Sequence, residues 1–469
     1  MRPYVLLLIL SSFVLLAQAK IRLPNVLSNH MVLQQQSTTK LWGWANPEEK
    51  IKIVTSWNNQ VYEVITDGNA NWKVAITTPV AGGPHSISLQ GENTILLNDI
   101  LIGEVWVCSG QSNMEWSYNL GISSVKKDFE QLAKMNIRLF NVAKRTSQSP
   151  QDDIDGTWTG LDSNTVKAFS AVGYYFGKHL QHGLQVPIGL INSSWGGTPA
   201  ETWTPANQVE QDATLKRDAQ LKAETKWWPV APGYAYNAMI APLKNFQIAG
   251  TIWYQGESNC VTPASYSQLM RTMVYAWRAD WQKDFPFYYV QIAPFKYAIP
   301  YEGALVREAQ TKNLQDKKMG MVVISDLVSD TLNIHPTNKE DVGLRLANMA
   351  LGDTYGLPIT NYSSPMVKSF TVQGNKITVT FDHADEGLQL RGKEPTALLI
   401  AGANRVFYPA TIKFDKNQII ASSQKVRQPV AIRYQFSNAG IGNIFSKGGL
   451  PVAPFRTDDW ELDNRVAKP

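Results

Sequence analysis

Only two cysteines and six histidines occur in the 469 residues. Two thiols, Cys108 and Cys260, cannot build a disulfide framework or a cysteine-based zinc site in a chain this long, so the fold must rest on burial. Each sits in an apolar, strand-like stretch that suits a small buried hydrophobe better than half of a disulfide. Basic tracts are absent too. The 44 Lys and Arg are interspersed with 39 Asp and Glu for a formal charge of only +5, so no nucleic-acid partner is expected. Nor is any apolar run long enough to span a bilayer, which takes ~20 residues. The run Tyr4 to Leu16 follows Met1-Arg2-Pro3 and closes on Ala17-Gln18-Ala19, the pattern of a signal peptide over residues 1–19. The mature chain is expected to be secreted, periplasmic if the organism is bacterial, and free of the membrane. Internal repeats and low-complexity segments are also lacking.

What the chain does have is two kinds of β text around a different middle. Residues 20–102 carry short alternating strands with turn punctuation, such as Lys50-Ile51-Lys52-Ile53-Val54 and Trp72-Lys73-Val74-Ala75-Ile76, and predict a small β-sandwich. From 103 to 356 near-continuous apolar strands alternate with helical segments. Examples are Val105-Trp106-Val107-Cys108, Ile188-Gly189-Leu190-Ile191 and Ile252-Trp253-Tyr254. Strands buried on both faces predict a parallel α/β sheet. Alternating strands return over 357–469 as a C-terminal β region, and the pattern alone leaves open whether it joins the first. Fifteen tryptophans are many, and indole faces suit both core packing and sugar rings.

Ligands of an open parallel sheet bind beyond the carboxyl ends of its strands. Four segments there are polar: Ser109-Gly110-Gln111-Ser112-Asn113-Met114, Asn192-Ser193-Ser194-Trp195-Gly196-Gly197-Thr198, Gln255-Gly256-Glu257-Ser258-Asn259, and Ser325-Asp326 leading to His335. Acyl transfer through a hydroxyl needs an exposed nucleophile, donors for an oxyanion and a neutral imidazole. Ser112 follows a glycine that permits a sharp turn and opens a helix. Ser194 is the rival, because its segment imitates Gly-x-Ser-x-Gly, but Asn192 replaces the first glycine. That segment serves better as oxyanion hole, through the Gly196 or Gly197 amide.

The histidines narrow the base. His30, His85 and His383 belong to the flanking β regions. His179 and His182 lie three apart on one helix with no third ligand nearby in sequence, so no metal is expected. His335 remains. Pro336 reads as the first residue of a helix over 337–351 and His335 as its cap, where the helix dipole would favour the neutral imidazole. A histidine that merely caps a helix is the bland counterpart of that reading.

These blocks resemble the sialate O-acetylesterase family of SGNH-type hydrolases. The resemblance rests on Val105 to Glu115, Ser194-Trp195-Gly196-Gly197-Thr198-Pro199, Trp253 to Asn259, and Ile334-His335-Pro336-Thr337-Asn338-Lys339. It extends to Asn29 to Gln35 and Gly449 to Asp458. It implies a flavodoxin-like, three-layer parallel-sheet core flanked by β-sandwich-like regions, and hydrolysis of O-acetyl esters on sugars without metal or organic cofactor. The implied site has Ser112 as nucleophile and His335 as base, with an oxyanion hole from the Ser112 amide, Gly197 and the Gln255 side chain. Glu257 would orient its loop, and Arg307 and Gln310 would line the pocket for substrate.

One position departs from the family. Many relatives carry Asp two residues before the histidine, where this chain has Asn333, and Leu332 stands three before it. A backbone carbonyl, Asp330 or Asp326 is left to orient His335, and a Ser-His dyad is the working expectation. The expected ligand is an acetylated sialic acid. An esterase acting on xylan or another acetylated glycan is the alternative, and a non-catalytic glycan-binding protein is the reading from another class.

Overall fold

A single strand, Thr94–Gly110, runs through two layers of the molecule and across the expected boundary at residue 102. The structure, a computed structural model, describes residues 20–462. The expected signal peptide lies outside them, and among the described residues no helix is long and apolar enough to cross a membrane. The first part of the strand pairs antiparallel with Gly82–Gln90 and is partly exposed, whereas every residue from Ile100 to Gly110 is buried. That change marks its passage from the β region into a sheet covered on both faces.

In that sheet the order is Met319–Val322, Phe287–Val290, Gly250–Tyr254, Thr94–Gly110, Ile188–Ser194, Ile137–Asn141, all parallel, with Trp158–Gly160 antiparallel at one edge. Side chains alternate between faces as a strand period of two requires. Val105, Val107, Trp253 and Phe287 pack with the helices Tyr266–Trp281 and Glu302–Lys312. Trp106, Cys108, Ile252 and Tyr288 pack with Ala171–Leu184 and Lys339–Met349. The result is three layers around a parallel sheet.

Leu41, Ile51, Ile53 and Ile87 of the N-terminal β region belong to the same apolar cluster as the first face. The C-terminal strands instead enclose a cluster of their own around Ile377, Phe381, Ile400 and Ile432, so the two β regions do not form one unit. Cys108 and Cys260 are both buried and unpaired, and burial pushes both thiols up. The helix expected over 337–351 begins later, at Lys339. The Asn338 side chain caps it by accepting the Asp341 N–H at 3.1 Å, which leaves His335 and Pro336 in the preceding loop.

Candidate active site

Gly110 is in register with Ser194 on one side and Tyr254 on the other, so three adjacent strands release their chains at one level. Gly110 has φ 136°, and a Cβ there would collide with the Tyr254 carbonyl oxygen. Only glycine lets the strand turn this sharply against its neighbour. The turn leads straight into the short helix Ser112–Glu115, which presents Ser112 at its first position. Gln111 N–H and Trp195 N–H tie the three loops together, donating to Tyr254 O and Gly110 O at 3.0 Å each.

His335 Nε2 lies 2.8 Å from Ser112 Oγ, although the two residues are 223 positions apart. The imidazole stacks on the Trp116 indole, with ring centroids 4.1 Å apart and planes 19° from parallel. The His335 backbone N–H donates to Asn333 Oδ1 at 2.9 Å, so Asn333 shapes the turn and does not touch the ring. Burial, followed by the Lys339 charge, lowers the His335 pKa to about 4. The imidazole is thus neutral at pH 7, but through desolvation and a nearby cation, since it caps no helix.

Beneath this pair lies a buried polar cluster. Asn113, fully buried, donates from Nδ2 to Glu257 Oε1 at 2.6 Å and to Ile334 O at 3.0 Å. Its Oδ1 accepts from Lys339 Nζ at 2.6 Å. One amide therefore joins the short helix that carries Ser112 to Glu257, to the loop before His335 and to the start of the following helix. Lys339 is completely buried against the Tyr254 ring, and burial lowers its pKa to about 7, with Glu257 opposing. Burial raises the Glu257 pKa, partly offset by the Asn113 hydrogen bond and by Lys339.

Two of the three expected oxyanion donors are free. Among the described residues the amides of Ser112 and Gly197 make no hydrogen bond to the protein, whereas Gly196 N–H donates to Glu115 Oε2 at 2.5 Å. A Cβ placed on Gly196 would lie 3.3 Å from Ser112 Cβ, so this glycine pair borders the serine directly. Gln255 does not act as the third donor here. Its Nε2 spends both hydrogens on Asn259 Oδ1 at 2.8 Å and Thr198 O at 3.3 Å, while Oε1 accepts from Tyr266. A fully satisfied buried amide braces the loops and has no hydrogen left for substrate.

Arg307 and Gln310, expected to line the pocket, are buried elsewhere. The Arg307 guanidinium donates to the Ser437 and Asn438 carbonyls, which ties the C-terminal β region to the core. Gln310 accepts from Ile292 N–H at 2.9 Å and donates to Gln255 O and Val290 O. Glu257 supports the Ser112 loop through Asn113, as described. Ser194 Oγ donates to Asn192 Oδ1 at 2.7 Å and meets no histidine. Of the candidate acids, Asp326 is held by both terminal nitrogens of Arg345 at 2.7 Å, and Asp330 accepts the Leu332 N–H at 2.8 Å. Among the described residues no carboxylate pairs with the His335 ring.

Trp116, Asn113 and Lys339 escaped the sequence reading as members of the site. Asn113 and Lys339 stand inside the quoted blocks, one beside the serine and the other four residues after the histidine. A lysine opening an amphipathic helix reads as a solvated charge, and only the fold shows it buried.

Comparison with known proteins gives the family and the fold. The family described as "Carbohydrate esterase, sialic acid-specific acetylesterase" matches residues 102–352. The sialate O-acetylesterase of Mus musculus is 28% identical over 426 residues, covering 77% of this chain and 79% of the relative. That of Homo sapiens is 28% identical over 393 residues, covering 76% and 75%. A crystal structure of a carbohydrate acetylesterase from Xanthomonas citri superposes with a TM-score of 0.84 at 35% identity, covering 94% of this chain and 100% of that one. Fold and relatives together define a carboxylic ester hydrolase directed at acetylated sugars. The chain belongs to the sialic acid-specific acetylesterase family of carbohydrate esterases.

Proposed function

We propose that this chain removes O-acetyl groups from sialic acids, foremost at the 9-position, through an acetyl-Ser112 intermediate. The observation that carries the reading is the 2.8 Å approach of His335 Nε2 to Ser112 Oγ, with the free Ser112 and Gly197 amides alongside. Ser112 Oγ attacks the acetyl carbonyl carbon, and His335 Nε2 takes its proton. The carbonyl electrons move onto oxygen, where the two amides stabilise the charge. The intermediate collapses as His335 returns the proton to the departing sugar oxygen. Water then attacks acetyl-Ser112 with His335 again as base, releasing acetate and restoring the hydroxyl. This needs the His335 tautomer protonated at Nδ1, with Nε2 accepting.

The mammalian relatives named sialate O-acetylesterases support the sialate assignment. The Xanthomonas citri relative is described only as a carbohydrate acetylesterase and keeps a neutral acetylated glycan such as xylan as the second reading. The test is acetate release from 9-O-acetyl-N-acetylneuraminic acid by the protein and by Ser112→Ala, with acetylated xylan in parallel. Release from the sialic acid that vanishes in the variant supports substrate and nucleophile together. Release from xylan alone transfers the reading to the second substrate. No acetate from either by the folded protein overturns both, and the inert glycan-binding reading returns.

A further inference from the structure

The most exposed large apolar side chain among those described is Trp227, at 79%, and its backbone carbonyl is bonded to Trp195, the residue before the Gly196-Gly197 pair that borders Ser112. It lies in the irregular stretch between the helix Ala213–Ala219 and the helical turn Tyr236–Ile240. The stretch is fastened at both ends. Lys222 Nζ, almost fully buried, donates to Thr262 Oγ1 at 2.7 Å and pairs with Glu201, while Gly233 N–H donates to Glu201 O at 3.1 Å. Between these anchors the Trp227 carbonyl accepts the Trp195 indole N–H at 3.1 Å. Trp228 follows, half-buried, with its ring so close over Gly197 that a Cβ there would overlap the indole. Gly197 has φ 82°, and its neighbour Gly196 faces Ser112.

Trp195, Trp227 and Trp228 are thus joined to one another and to the rim of the serine, in a loop whose ends cannot drift. Folding gains nothing from an indole left in water, and exposed apolar surface beside a reaction centre usually awaits a ligand. The C–H face of a pyranose is apolar while its edge carries hydroxyls, so it fits a flat indole whose surroundings remain wet.

We infer that Trp227 and Trp228 form a platform on which a pyranose ring of the acetylated substrate stacks, holding the ester over Ser112. The inference rests on the esterase reading for its substrate, and a binding measurement separates the two. In the Ser112→Ala background, calorimetry with 9-O-acetyl-N-acetylneuraminic acid and with acetylated xylotetraose measures sugar binding without turnover. Trp227→Ala in that background should weaken binding of whichever sugar binds by about tenfold, and Trp227→Tyr should restore most of it. With Ser112 intact, Trp227→Ala should lower kcat/KM on the acetylated sugar about tenfold more than on p-nitrophenyl acetate, which has no pyranose, chiefly through KM. Equal losses on both substrates, unchanged sugar affinity, or no measurable binding of either sugar by the Ser112→Ala protein would overturn the platform. Absence of hydrolysis on every ester, with sugar binding that still depends on Trp227, would instead overturn the esterase reading and leave the platform standing.

Discussion

The indole of Trp116 lies flat against the imidazole of His335, at a centroid separation of 4.1 Å. In a serine triad a carboxylate orients the histidine and stabilises the imidazolium that forms during attack. Here the carboxylates nearest in sequence are engaged elsewhere, and Trp116 meets the ring instead. Stacking fixes its orientation, and the indole face attracts a cation by ~0.5–2 kcal/mol. Trp116→Leu should therefore lower kcat by about 3- to 30-fold with less change in KM, and Trp116→Phe by less. Steady-state kinetics on an acetylated sugar decide it, and a Leu variant as fast as the parent would remove the role.

The two depressed pKa values set the pH behaviour. A base with a pKa of about 4 stays neutral through mildly acidic conditions, so kcat/KM should hold as pH falls and drop to half near pH about 4. Lys339→Met removes a cation that disfavours imidazolium, and the acid limb should move upward, towards the ordinary 6.5. Stability follows the same shifts. Between about 4 and 6.5 for His335, and between about 7 and 10.5 for Lys339, the unfolded chain binds more protons than the folded one. Both contributions therefore rise with pH across their own windows and are lost on descending through them. Denaturant titrations should show a larger alkaline rise in the parent than in Lys339→Met, where the burial-lowered Lys40 and Lys283 still contribute. An acid limb that stays put in the variant would uncouple Lys339 from His335.

Much of this architecture is written in local pattern. Unbroken apolar runs such as Val105-Trp106-Val107-Cys108 specify strands buried on both faces, and the polar segments after them fall where the sheet places its ligand side. What pattern could not supply is direction. Gln255 and Arg307 stand in blocks of catalytic character, yet the first turns its amide to Asn259 and the second its guanidinium to the Ser437 carbonyl. Sequence spacing places a backbone, whereas the partner of a long polar side chain depends on elements far along the chain. The same limit hid Lys339, whose burial requires Tyr254 and Asn113 from two other segments. It also misplaced the helix start, because Pro336 and Asn338 both fit a helix N-terminus and only Asn338 makes the capping bond.

Asp326 offers a direct check on a dyad. Its pairing with Arg345 is largely shielded, with 11% and 12% of the two side chains exposed. Asp326→Asn strands a guanidinium and should cost about 3 kcal/mol of stability, seen as a lower Tm. It should change kcat by no more than about twofold, since the carboxylate does not reach the His335 ring. The exposed Asp330 should behave likewise in kcat with a smaller loss of Tm. A fall in kcat of a hundredfold or more in either variant, with the fold intact, would identify the missing acid and end the dyad account.

Gly197 carries the sharpest demand on geometry. Its φ of 82° disfavours any side chain, and a Cβ would run into the Trp228 ring. Gly197→Ala must therefore move the backbone or the indole, and displacement of the backbone carries the amide away from the proposed oxyanion position. Loss of one such donor costs about 10²- to 10³-fold in kcat, while KM for a small acetyl ester should change far less. Pairing the change with Trp228→Ala separates the causes. If the collision dominates, the double variant should recover kcat on p-nitrophenyl acetate towards the level of Trp228→Ala alone. If backbone strain dominates, it should stay as slow as Gly197→Ala. A single Gly197→Ala variant within twofold of the parent would mean that this amide is no part of the oxyanion hole, and would leave the Ser112 amide without its partner.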